Sequence, residues 1–374
     1  SYTMSLSGAG DWIYETSSGV SGRYSINKNE GQQRSANVDF SITNGSITYA
    51  KSVPITQKAI NTPITGNYYS NGEKLLLNQK TASCANAVNI VILGDGYQKK
   101  DLLKGGKFER TARSAVGSLF NVEPFKSFPD RFNVYMVAYE SVEEGIDVRD
   151  NEANYLENKN TYFETYRSAS STAAYLTDNG VAKVTDIVKN KLGLDTDAEY
   201  YRTIALVLSN TDVVAGSCGY PYRDMYSNTS TLGEPYASFA IAVLPANSTS
   251  TSGLIRHELG GHGFGRLGDE YEDHKYGSDL ESWHSKGFYR NVTTNQSVWN
   301  WNSFIGLSGY EDVNYIRRNN NYWCPSTGGI MYNNQGEFNA PSRQIIYERI
   351  IRQTEGANAY SWAKFLQYDR KNIK

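Results

Sequence analysis

The chain has 374 residues, or about 2.5 domains at roughly 150 residues each. Its 37 Lys plus Arg against 39 Asp plus Glu leave a formal charge of −2, without the basic surplus a nucleic-acid binder uses to displace counterions. With 39% hydrophobic and 20% charged residues it can bury a core, which excludes a disordered chain, and no apolar run nears the ~20 residues of a membrane helix. Three cysteines, Cys84, Cys218 and Cys324, allow at most one bridge and are too scattered for a Cys-ligated zinc site.

Residues 1–60 read as all-β. Ala36, Val38, Phe40 and Ile42 alternate with Asn37, Asp39, Ser41 and Thr43, the period of a half-buried strand, and a turn at Asn44-Gly45 precedes further alternation at Val53 and Ile55. The stretch 29–57, with its Asn-rich turn, an Arg before the alternating strand and a closing Val-x-x-x-Gln, resembles the small β-sandwich module called BACON. That resemblance implies a spacer or weak binder beside an enzyme domain. The turn-rich residues 61–83 read as a linker, with Leu75–Leu77 a short edge strand.

From residue 84 the pattern changes. The buried strand VNIVILG (88–94) is followed by helical spacing at Phe108, Ala112, Ala115, Val116, Leu119 and Phe120. The strand RFNVYMVAY (131–139), a mostly helical stretch over 161–192, and the strands TIALVLS (203–209) and SFAIAVLP (238–245) come next, with an edge strand at AGSCGYPY (215–222). Strands separated by helices predict an α/β layer with a mixed, mostly parallel twisted sheet. Asp95 in LGDGY reads as a structural turn residue. IDVRDNEAN (146–154) reads as a solvated loop, because its acids lack EF-hand spacing.

All four histidines fall within residues 257–284, two of them in RHELGGHGFGRLGDEY (256–271). His257 and His262 are ligands of the kind zinc prefers, and Glu258 follows the first directly. The usual HExxH helix spaces its histidines four apart. Five-apart residues on a regular α-helix stand about 140° apart, too far to share an ion. An i→i+5 bulge brings them into line, and Gly260 and Gly261 sit where it must form. The same lengthened form, HExxGH, occurs in the dipeptidyl peptidase III family. Glycines at 265 and 268 let the chain turn back with a third ligand. Asp269 leads the candidates, followed by Glu270, with His284 and His274 behind. This layout resembles the metzincin pattern, and Met331 in CPSTGGIMYNN (324–334) resembles its Met-turn.

The segments VNIVILGDGYQKKDL, LFNVEPFKSFPDRFNVYMV, RHELGGHGFGRLGDEY and GGIMYNN together are similar to the IgA-specific metallopeptidase family first known from clostridia, over residues 84–374. The resemblance implies a zincin-like catalytic domain with an active-site helix, zinc held by His257, His262 and Asp269, and Glu258 as acid/base. Zinc-activated water then attacks the peptide bond, Tyr271 or Tyr332 serves as second electrophile, and the substrate pairs with the edge strand. Expected substrates are extracellular host or dietary proteins or glycoproteins, with no nucleic-acid partner. Immunoglobulin specificity does not carry over. A start at Ser1 and 29 Tyr among many Ser, Thr and Asn fit a processed, secreted or surface-attached bacterial protein, a lipoprotein included. The competing expectation is a non-catalytic adhesin on the same scaffold. Cys218 has no histidine near it in sequence to support a thiol peptidase.

Overall fold

The computed structural model describes residues 2–7, 13–17, 23–26, 34–44, 47–57, 66–81, 84–151, 154–196, 198–199, 202–220, 239–295, 301–307 and 316–373. The chain divides into two compact units, Ser1–Gly66 and Asn67–Lys374. Every regular element described in the first is a strand. β1 (Tyr2–Ser7), β4 (Arg34–Asn44) and β5 (Ile47–Gln57) form an antiparallel sheet in the order β1-β4-β5, and β2 (Ile13–Ser17) pairs antiparallel with β3 (Arg23–Ile26). The β4–β5 register runs from Arg34 opposite Gln57 to Asn44 opposite Ile47, and Gly45 of the expected turn lies outside the described residues.

The second unit is built on a six-stranded sheet. Its strands are β6 (Lys74–Asn78), β7 (Val88–Asp95), β8 (Phe132–Val137), β13 (Thr203–Ser209), β14 (Ser217–Gly219) and β15 (Ala240–Pro245), in the order β14-β15-β13-β7-β8-β6. The central four are parallel, and β14 and β6 close the edges antiparallel. Strand β6 lies within the stretch 61–83 that the sequence suggests as linker.

Strands β7, β13 and β15 are buried at every residue, which is why they read as unbroken apolar runs: a parallel sheet with both faces covered has no polar side. On one face Ile90, Ile92, Leu206, Leu208 and Leu244 meet Phe108, Ala112 and Leu119 of helix α1 (Lys107–Leu119). On the other, Val91, Leu93, Val207 and Val243 meet Val184 of helix α2 (Asp178–Asp186) and Ile187 and Val188 just beyond it. Each such aliphatic side chain contributes about 1.5–3 kcal/mol by leaving water.

The helix expected over 161–192 is corrected. β11 (Thr165–Ser168) and β12 (Ala174–Leu176) form a hairpin there, in a four-stranded sheet with β9 (Asp147–Asn151) and β10 (Asn154–Glu157). The serine-rich stretch 168–171 favours a reversal and the Tyr and Thr beside it favour strand, so helix starts only at Asp178, where the Thr177 hydroxyl accepts from Gly180 N–H at 3.1 Å. Residues 147–151 are likewise strand and not solvated loop, with the Arg149 guanidinium held between Tyr155 and Tyr166 at 4.4 and 4.1 Å. Asp95 is structural as read: it is fully buried and accepts from Phe163 N–H and Thr165 N–H at 2.8 and 2.9 Å, tying the end of β7 to the segment before β11. The three cysteines are free.

Candidate metal centre

After β15, helix α3 (Thr251–Leu254) runs directly into a π-helical segment, Ile255–Phe264. The five-residue spacing of the histidines sits inside the i→i+5 geometry it demands. The segment ends with Gly265 N–H on Gly260 O at 2.9 Å and Leu267 N–H on Gly261 O at 3.0 Å, and Arg266 turns the chain at φ 54. Gly261 makes a close approach: a Cβ there would push against Met331 Sδ. Met331 thus lies under the segment, on the short helix α5 (Ile330–Asn333); the helix before it, α4, spans Leu280–Ser285.

Three ligand atoms converge. His257 Nε2 lies 3.0 Å from His262 Nε2 and 3.0 Å from Asp269 Oδ1, and His262 Nε2 lies 3.2 Å from the same oxygen. The outer nitrogens are fixed by backbone: His257 Nδ1–H donates to Ile330 O at 2.8 Å and His262 Nδ1–H to Leu267 O at 2.7 Å. Carbonyls only accept, so each Nε2 is left to face the centre. A tetrahedral ion bonding N and O at roughly 2.0–2.2 Å spaces its ligand atoms about 3.3 Å apart, so the observed triangle fits such an ion with small adjustment. Glu258 stands beside the triangle, with His257, Glu258 and His262 offering atoms within 4.8 Å of one another.

The electrostatics ask for a cation. Burial works against charge on His262, yet the neighbouring Asp269 carboxylate outweighs it and lifts the pKa to about 9. Burial likewise pushes Asp269 up, and the two imidazoles overcome it, holding this carboxyl far below its usual range. A metal ion bound by His262 would compete with a proton there. Metal affinity is expected to rise about tenfold per pH unit up to pH about 9, measurable by competition with a chelator. A flat profile between pH 6 and 8 would contradict this.

The other candidates are set aside by their partners. Glu270 is fully buried and turned away: its carboxylate accepts from Asn291 Nδ2 at 2.8 Å and Asn339 Nδ2 at 2.9 Å, and burial raises its pKa to about 7. His284 Nε2 faces the carbonyls of Tyr289 and Val292 at 3.1 and 2.9 Å, with Glu281 on its other nitrogen. His274 stands behind Asp269, 3.4 Å from Oδ2. Of the two tyrosines considered, Tyr271 is at the site, its ring parallel to His257 and its hydroxyl 3.2 Å from Nε2. Tyr332 instead has the Arg318 guanidinium over its ring at 4.5 Å.

Four supporting residues escaped the sequence reading. Tyr220 and Tyr276 donate to the carbonyls of His262 and Asp269, both at 2.6 Å. Asn291 and Asn339 anchor Glu270, and Asn339 also caps helix α6 (Ala340–Glu355) by accepting from Ser342 N–H at 3.0 Å. The cap before the helical run was a readable signal for Asn339; the other three carry none at fixed spacing. The centre opens into a cleft of about 1010 Å³ that is also lined by β14 and Tyr271.

Metal-type ligands lining an open cleft, with a carboxylate beside them, are compatible with a metal-dependent hydrolase. Residues 76–323 match the IgA peptidase M64 family, and the chain belongs to that family of metallopeptidases. The match takes in every ligand candidate and stops short of Met331. No curated protein matches the chain.

Proposed function

We propose that the protein is a zinc endopeptidase of zincin-like architecture that cleaves extracellular proteins or glycoproteins. The observation that carries the reading is the triangle of His257, His262 and Asp269 with Glu258 alongside, in a cleft. Two imidazoles and one carboxylate, with no thiolate, are a donor set zinc takes in hydrolytic sites. The bound ion supplies Lewis acidity, which lowers the pKa of a water and shares the charge developing on the scissile carbonyl.

The rest is the work of this chain. The Glu258 carboxylate takes the proton of the attacking water and passes it to the leaving amine nitrogen. The Tyr271 hydroxyl, 3.2 Å from His257 Nε2, donates to the carbonyl oxygen as charge gathers there. The backbone carbonyls on His257 and His262 keep both rings oriented through the cycle. Strand β14 ends the sheet order beside the cleft and would pair with an extended substrate. We read the first unit as a BACON-like spacer, a reading supported by its antiparallel strands, and the protein as secreted or surface-attached.

The test is hydrolysis of a heat-unfolded protein by the chain loaded with one equivalent of Zn²⁺. New amino termini in the digest, lost on chelation and recovered with zinc, are the expected result. Binding of the unfolded chain without cleavage would overturn the peptidase reading and favour the adhesin.

A further inference from the structure

The cleft extends well past the metal centre. Beyond Asp269 one wall is made of aromatic side chains, Tyr220, Tyr276, Trp283 and Tyr289. The rings brace one another, with centroids 6.0 Å apart for Tyr276–Tyr289 and 6.4 Å for Trp283–Tyr289. Phe288 fills the space behind them, 5.1 Å from Tyr220 and 5.8 Å from Trp283. The Tyr220 and Tyr276 hydroxyls are committed to backbone carbonyls, so these two present ring surface to the cleft. Trp283 is fixed by Nε1–H donating to Asp279 Oδ2 at 2.9 Å. Tyr289 stands at φ 58, a left-handed conformation that a bulky residue seldom adopts, and is held there by its N–H on Arg266 O at 2.8 Å. Backbone strain of this kind collects where a side chain must be aimed at a ligand.

We infer that this wall is a specificity subsite for an aromatic side chain on the amino-terminal side of the scissile bond, an inference that rests on the peptidase reading above. The side follows from the direction of β14. A Cβ on Gly216, just before that strand, would stand 3.7 Å from Glu258 Oε1, whereas Tyr220, just after it, bonds to His262 O. The strand therefore runs from Glu258 toward the aromatic wall. A peptide added antiparallel to it runs the other way and puts its earlier residues against the rings. Flat rings meet such a wall edge-on or offset and gain more than their buried area alone gives. Aliphatic groups gain only the area.

The experiment uses the zinc-loaded protein and a family of quenched fluorescent peptides that vary one residue at a time on either side of the cut. Phe, Tyr or Trp is expected to raise kcat/KM about tenfold over Ala at one position on the amino side. In Trp283→Ala the Phe-to-Ala ratio falls toward one, and in Trp283→Phe most of it returns. Should Trp283→Ala fail to fold, Trp283→Leu removes the ring while keeping apolar bulk and reads the same ratio. An aromatic preference confined to the carboxyl side overturns the inference. So does a ratio unchanged in a Trp283→Ala protein that keeps its metal and its unfolding midpoint. Cleavage without any aromatic preference overturns the subsite alone, whereas failure to cleave any peptide overturns the peptidase reading and the subsite with it.

Discussion

Replacing Glu258 by Gln is expected to lower kcat/KM for peptide hydrolysis by about 10²–10⁴-fold, with zinc still bound at one per chain. The amide is nearly the same size as the carboxylate, so the 8%-exposed side chain keeps its place beside the ligand triangle. It can no longer accept a proton from water at neutral pH. Because the proposed ligands are His257, His262 and Asp269, metal content separates loss of chemistry from loss of the centre. The loss is expected mainly in kcat. A variant of near-normal rate with metal in place would remove Glu258 from the reaction.

The second large effect distinguishes two adjacent acids. Asp269→Ala is expected to weaken metal binding by more than about 100-fold, the upper end of what is lost when only a supporting group is removed. It takes one corner from the triangle and the charge that balances the cation. Glu270→Ala keeps the metal but weakens the fold. It takes one acceptor from each of the buried amides of Asn291 and Asn339, which keep their bonds to Gly268 O and Ser326 Oγ, and each donor left unsatisfied costs about 1–3 kcal/mol. Metal analysis and denaturant unfolding of the two variants check both halves. The opposite pattern, metal lost in Glu270→Ala and kept in Asp269→Ala, would make Glu270 the ligand.

What the sequence made legible had local causes. Strands β7, β13 and β15 announced themselves because both faces of the sheet are covered and no polar alternation survives. The π-helical segment could be foreseen because two histidines five apart cannot share an ion on a regular helix, and Gly260-Gly261 permits the alternative. The choice between Asp269 and Glu270 was not legible in the same way. After a glycine-rich turn one residue of shift reverses which carboxylate faces in, and that is decided by Asn291 and Asn339, far along the chain. Tyr271 and Tyr332 posed the same difficulty: the ring of Tyr271 lies parallel to His257, whereas Tyr332 lies under the Arg318 guanidinium. The hairpin of β11 and β12 was hidden because apolar residues spaced through 161–192 mimic a helix, and the serine-rich stretch that breaks them acts through tertiary pairing with β9.

The most direct test of the metal centre is zinc content per chain in the purified protein and in the double variant His257→Ala/His262→Ala, measured by mass spectrometry under native conditions. One zinc per chain in the first and none in the second is the predicted result. Zinc retained by the double variant, or no zinc bound by the wild-type chain at micromolar free metal, would contradict a metal site at the five-spaced histidines.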